Sequence, residues 1–101
     1  MQINTTNAPM AVGPYSQGIV SGDTIYVSGQ LPINPKTNEL IKDSVSAQTS
    51  QVLDNVGGIL ETAGFTMTDV VMVQVYMVNL KDFNIMNEVY ERYFGESKPA
   101  R

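Results

Sequence analysis

Four short patches of this 101-residue chain carry residue types that could hold or activate a small polar molecule. The first is Gly13-Pro14-Tyr15-Ser16-Gln17. Proline fixes its own φ and biases the preceding residue toward extended geometry, so the ring of Tyr15 is held in a defined direction, either as a plug for the core or toward a ligand. The second, Val27-Ser28-Gly29-Gln30-Leu31-Pro32, ends a predicted strand in Ser-Gly. A glycine there lets another backbone, or a ligand, come close, and a bulge is the plainer alternative. Asn87 lies four residues after Phe83 and three before Tyr90, within the apolar stripe of a predicted helix. A buried amide needs partners, so it either ties down a loop or faces a polar pocket. The fourth is Arg101, after Pro99-Ala100; an arginine in such a place is ordinarily solvated.

Other chemistries are excluded by what the chain lacks. It has no cysteine and no histidine, which removes disulfides, thiolate nucleophiles, Ser-His-Asp catalysis and nearly every zinc site. Proton transfer is left to Asp, Glu, Lys, Tyr or ordered water. There is no phosphate-binding loop, dinucleotide fingerprint or calcium loop. Glu88 and Glu91 fall on the polar side of their helix, where solvated carboxylates are ordinary. Six basic and ten acidic residues give a net charge of −4, and the basic ones do not cluster. That argues against a nucleic-acid surface, which needs a basic footprint.

The elements that must position these patches can be read from spacing. One domain, residues 1–101, is expected, without linker or repeat. Ile3–Thr5 suggests a short strand. Gly18–Val20 and Thr24–Ser28, around Ser21-Gly22-Asp23, read as a hairpin, with Ile25 and Val27 on one face and Tyr26 and Ser28 on the other. Pro32 to Asn38 reads as a turn-rich loop. Val52, Leu53, Val56, Ile59, Leu60 and Ala63 have the spacing of a one-sided helix, capped by Asp43 or Ser44 and ended at Gly64. Gly57-Gly58 sits poorly inside it, at roughly 1 kcal/mol each relative to Ala, unless the helix packs closely on a sheet. Val70 to Val78 is apolar on both faces and predicts an interior strand. Phe83, Met86, Tyr90 and Phe94 mark a second helix, with Asp82 or Asn79 near its start and Gly95 at its end. The order β-β-β-α-β-α predicts an α+β sandwich with both helices on one face of the sheet. No stretch is long and apolar enough to span a bilayer, and the N-terminus has no secretory pattern, so the cytoplasm is expected.

Taken in order, these patches resemble the RidA/YjgF family along the whole chain. Gly-Pro-Tyr-Ser-Gln at 13–17 and Ser28-Gly29-Gln30-Leu31-Pro32 look like its first two motifs. Gln48 to Gly64, with Leu53-Asp54-Asn55 and Ala63-Gly64, is similar to its first long helix. Asn79-Leu80-Lys81-Asp82-Phe83, followed by Asn87 and Tyr90, resembles its signature at the second helix, and Pro99-Ala100-Arg101 the Pro-Ala-Arg before its last strands. The resemblance implies a chorismate-mutase-like fold, a mixed β-sheet with two helices on one face, assembled as a barrel-like homotrimer with clefts between subunits.

It also implies hydrolysis of 2-aminoacrylate and related 2-imino acids to 2-keto acids and ammonia, without metal or cofactor. These intermediates escape from pyridoxal-phosphate dehydratases, to which the activity would be linked. Matched by position, Arg101 would grip the substrate carboxylate with its planar fork. Tyr15 would form pocket wall, Ser28 and the Gly29 backbone would line the cleft, and Asn87 would orient the site. From another class comes a non-catalytic trimer that binds a keto acid for regulation. A third reading, a translation inhibitor with ribonuclease activity, fits the acidic balance least. Family members continue past Pro-Ala-Arg into two strands carrying a Cys or similar small residue and a Glu that positions water. This sequence stops at the motif, so we expect either a sheet with an open edge beside Val70–Val78 and a gaping cleft at Arg101, or another segment in that place.

Overall fold

A tight turn and alternating side chains build the first half. The computed structural model describes residues 1–101. In it, β1 (Gln2–Ile3), β2 (Gly18–Ser21) and β3 (Thr24–Val27) form an antiparallel sheet in chain order. Gly22, at φ 59°, closes the β2–β3 turn in the left-handed region that glycine enters without steric cost. Ile25 and Val27 pack, with Val20, near the buried Ile3, Ala8 and Ile59. Tyr26 faces away and is exposed beside its cross-strand partner Ile19.

The loop expected over Pro32–Asn38 holds a second, very short hairpin, β4 (Ile33–Asn34) with β5 (Glu39–Leu40). The Asn34 side chain accepts from the Lys36 N–H at 2.8 Å, and Asn38 takes φ 59°. These two asparagines turn the chain locally, and strands of two residues leave no alternation for a sequence reading to find.

The first helix, α1 (Val45–Thr62), starts where Ser44 Oγ accepts the Ala47 N–H at 3.0 Å. Past its end Gly64 sits at φ 86°. Leu53, Ile59 and Leu60 turn inward. Helix and sheet do approach closely, but through Gly18 on the sheet: a Cβ there would lie 3.0 Å from Ile59 Cγ2. Of the helix glycines, Gly58 instead faces the backbone of Asn7 in the loop after β1, and Gly57 lies against the Met67 sulfur at ordinary contact distance.

The second helix, α2 (Phe83–Phe94), follows a 3-10 turn at Leu80–Asp82, where Asn79 Oδ1 accepts the Lys81 N–H at 3.0 Å. Met86, Tyr90 and Phe94 meet Leu53 of α1 in a second core cluster. Gly95 ends the helix in right-handed geometry, and Lys98, at φ 47°, makes the left-handed turn.

Val70–Val78 corrects the sequence reading: it is not a strand. Val70, Val73 and Met77 lean on the Leu53 cluster, while Val71, Met72, Tyr76 and Val78 are exposed. Its ladder consists of one residue. The Val73 N–H donates to the Ala100 carbonyl at 2.8 Å, and the Ala100 N–H to the Val71 carbonyl at 2.9 Å. β-branched side chains favour extended backbone, but a strand also needs a neighbour over several residues, and here the chain supplies only Ala100. The outcome is an α+β fold with two helices packed on antiparallel strands, whose one parallel contact is the Met72–Ala100 bridge.

Candidate functional site

The Ala100 bridge fixes the backbone next to Arg101, so the arginine side chain reaches α2 from a tethered position. Its Nη1 donates to Asn87 Oδ1 at 2.7 Å. Its guanidinium carbon lies 4.6 Å from the centre of the Tyr90 ring and 5.4 Å from that of Phe83. Phe83, Asn87 and Tyr90 share one helix face because they are spaced by four and three residues. Asn87 is half-buried, and its side chain holds an arginine. Asn87 is the one hydrogen-bond partner of Arg101 in the chain. Since a guanidinium carries five N–H groups, most of its fork remains open to an acceptor.

The hydroxyl of Tyr90, beneath this arginine, is buried and has no hydrogen-bond partner. Burial holds its pKa above the ordinary tyrosine range, with the Arg101 charge pulling the other way. A buried unpaired hydroxyl costs about 1–3 kcal/mol. Tyr90→Phe is therefore expected to raise stability by about 1 kcal/mol in urea unfolding at neutral pH. The pH sign follows from the raised value. An unfolded chain loses this proton near pH 10 while the folded one keeps it, so stability falls as pH rises from about 10. The variant should lack that part of the alkaline loss. A destabilised Tyr90→Phe would show that the hydroxyl has a partner in solution.

The other candidate residues gather on the loops flanking β2 and β3. Ser28 Oγ donates to the Ser16 carbonyl at 2.6 Å, and the Ser28 N–H to the Gln17 carbonyl at 3.0 Å, so the first two motifs lie side by side. Gly13 takes φ 132°, a geometry that requires glycine, and the Tyr15 N–H folds back onto its carbonyl at 2.9 Å. Tyr15 is half exposed, with its hydroxyl accepting the Val12 N–H at 3.3 Å; it does not plug the core. Nothing lies within 4 Å of where a Cβ on Gly29 would be, which leaves open space at that backbone.

Two buried amides missed by sequence reasoning hold these loops. Gln17 accepts the Thr5 N–H at 2.7 Å and donates to the carbonyls of Thr5, Ala8 and Pro9 at 3.0, 3.3 and 2.8 Å. Asn55 of α1 donates to the carbonyls of Leu31 and Ile33 at 3.2 and 2.9 Å and accepts from Gln51 at 2.8 Å. The rule that singled out Asn87, a polar amide inside an apolar helical stripe, applies equally to Asn55. Gln17 had no such signal, because its partners are backbone groups of an irregular loop.

The chain therefore presents two groups, Tyr15 with Ser28 and Gly29, and Asn87 with Arg101, and no hydrogen bond joins them. Two surface depressions, of about 410 and 300 Å³, are lined by Thr37 and Glu39 to Asp43, and by Thr68 and residues 91–97 without Phe94. Neither includes a candidate residue. No three His, Cys, Asp or Glu side chains converge to hold a metal ion, and no helix is long and apolar enough to cross a membrane.

Comparison with known proteins places these features. The family model described as Endoribonuclease L-PSP matches residues 5–101. A RutC family protein of Pyrococcus horikoshii is 54% identical over 99 residues, which is 98% of this chain and 79% of the relative. A 2-iminobutanoate/2-iminopropanoate deaminase of Escherichia coli K12 is 48% identical over 102 residues, 98% of this chain and 79% of its own length. A crystal structure from Thermotoga maritima, 46% identical, superposes with a TM-score of 0.99 over all of this chain and 80% of that one.

Proposed function

Because the chain belongs to the endoribonuclease L-PSP family, that of the RidA/YjgF proteins, we propose that it hydrolyses reactive enamines and imines, 2-aminoacrylate and 2-imino acids, to 2-keto acids and ammonia. The observation that carries this is the Arg101 guanidinium, oriented by Asn87 and two rings with most of its donors unused. Such a fork takes a carboxylate in two parallel hydrogen bonds, and every substrate of this class has one. The similarity to a named 2-iminobutanoate/2-iminopropanoate deaminase supports the reaction class.

In this reading Arg101 binds the carboxylate and Asn87 fixes which edge of the fork faces it. Tyr15 gives one wall of the cleft, and Ser28 with the Gly29 backbone lines the other. An enamine first takes a proton at carbon to become the imine. Water then adds to the imine carbon, its oxygen forming the new C–O bond while a proton passes to nitrogen. Collapse of the resulting amino alcohol breaks the C–N bond and releases ammonia and the keto acid. Fixed dipoles in a cleft that excludes bulk water stabilise the charge that develops. The substrate would come from pyridoxal-phosphate dehydratases in the cytoplasm.

The two groups come from one chain without touching, and the reading joins them across a homotrimer interface. Only 13 of 101 residues are buried, which leaves Ile19, Tyr26, Val71 and Tyr76 as apolar surface for a second copy to cover. Sedimentation should give three times the 11.1 kDa chain mass; a folded monomer at micromolar concentration would refute this assembly.

The test of activity is a coupled assay with a threonine dehydratase, measuring 2-ketobutyrate and ammonia as they appear. The protein should hasten both above the rate of spontaneous hydrolysis. No acceleration, with 2-ketobutyrate still bound, would favour a regulatory trimer that holds the keto acid. That second reading draws on the lack of any acid or base hydrogen-bonded to the Arg101–Asn87 pair. The ribonuclease named in the family description is weakened by a net charge of −4 and the absence of histidine.

A further inference from the structure

An arginine can bind a planar carboxylate well only if both the plane and the edge of its guanidinium are set before the ligand arrives. The edge is set by the 2.7 Å hydrogen bond to Asn87. The plane needs something else, because one hydrogen bond leaves the group free to rotate about it. The faces of two rings lie within cation–π range, 4.6 Å for Tyr90 and 5.4 Å for Phe83. They differ in one respect. Tyr90 is buried in the α1–α2 core, whereas Phe83 is 41% exposed and lies outside both core clusters. A large apolar side chain in the first turn of α2 that packs in no core, yet approaches the guanidinium, is best explained by the guanidinium.

We propose that Phe83 and Tyr90 form an aromatic cradle for Arg101, with Phe83 as the positioning residue that sets how tightly a substrate carboxylate is held. This rests on the carboxylate-binding reading of Arg101 and deepens it. Phe83 touches no reacting atom. It acts by keeping the guanidinium flat against α2, so that the free N–H groups project together along one edge. Aliphatic side chains of similar size would cover the same surface without the ring quadrupole that attracts the cation.

The test uses Phe83→Leu and Phe83→Trp, since removing the Tyr90 ring would also hollow the core. Binding of 2-ketobutyrate, measured by calorimetry, should weaken roughly 2- to 30-fold in Phe83→Leu. Phe83→Trp, with a stronger cation–π face, should restore it. A second measurement does not depend on a ligand. The Arg101 Nε–H signal in a proton–nitrogen spectrum should be shifted upfield by ring current in the parent protein, and should move downfield in Phe83→Leu. Unchanged affinity together with an unmoved Arg101 signal in Phe83→Leu would overturn the cradle. Failure of the parent protein to bind the keto acid would count against the proposed function instead, and the Arg101 signal would then decide the cradle by itself.

Discussion

Replacing Arg101 by alanine is expected to weaken 2-ketobutyrate binding between thirty-fold and several-thousand-fold, with turnover of imine lost in proportion. The range corresponds to about 2–5 kcal/mol, the cost of removing one member of a desolvated charge pair. Its size also tests the assembly. In the single chain Arg101 is exposed, and an exposed ion pair is worth at most about 1 kcal/mol, or roughly fivefold. A loss above thirty-fold therefore requires that another surface close over the site, whereas a loss below fivefold would remove Arg101 from the site or leave it in water. Arg101→Lys should also be impaired, because an ammonium cannot present two parallel donors or lie flat on an aromatic face. Calorimetry and the coupled dehydratase assay give the two readouts.

Gly58→Ala should destabilise the fold by about 2 kcal/mol, while Gly57→Ala one position away should be neutral or stabilise it by up to about 1 kcal/mol. A Cβ at Gly58 would lie 2.5 Å from the Asn7 carbonyl oxygen and 3.0 Å from its carbon. That is backbone, which cannot rotate aside as a flexible side chain can. Overpacking of this kind costs about 3 kcal/mol, and the better helix propensity of alanine returns about 1. At Gly57 the nearest atom is the Met67 sulfur at 3.8 Å, an ordinary contact. Urea unfolding of both variants checks the opposite signs. Equal stability of Gly58→Ala and the parent would mean that Asn7 does not pack on α1. The loop concerned is the one that Gln17 clamps through Thr5, Ala8 and Pro9, so displacement at Gly58 should also loosen the backbone that carries Tyr15.

Elements with a local cause were legible in the sequence. The β2–β3 hairpin follows from alternating side chains around Ser21-Gly22-Asp23, and Gly22 has the left-handed geometry that such a turn requires. Gly64 beyond the end and the apolar stripe before it delimit α1, and of Asp43 and Ser44, either of which could cap it, Ser44 does. The stripe of Phe83, Met86, Tyr90 and Phe94 marks α2, although the left-handed residue that turns the chain afterwards is Lys98 and not Gly95. The β4–β5 hairpin was not legible, because its turn rests on two asparagine conformations and not on a periodic pattern.

What the sequence by itself determined was the set of short-range structures and the chemistry left out by an inventory without histidine or cysteine. Those depend on residues within a few positions of one another, or on composition alone. The motifs also named the residues of the candidate site. What only the tertiary structure decided was how they are held. Arg101 reaches Asn87 across 14 positions, and Ser28 reaches the Ser16 carbonyl across 12. The two glycines of α1 face different neighbours although they are adjacent in sequence. Val70–Val78 has the residues of a strand, but strand formation is a property of pairs of segments, and its one bridge to a distant segment is at Ala100. Side-chain type sets what a residue can do; hydrogen bonds and contacts between distant segments decide whether it does so, and no spacing rule within one segment contains them.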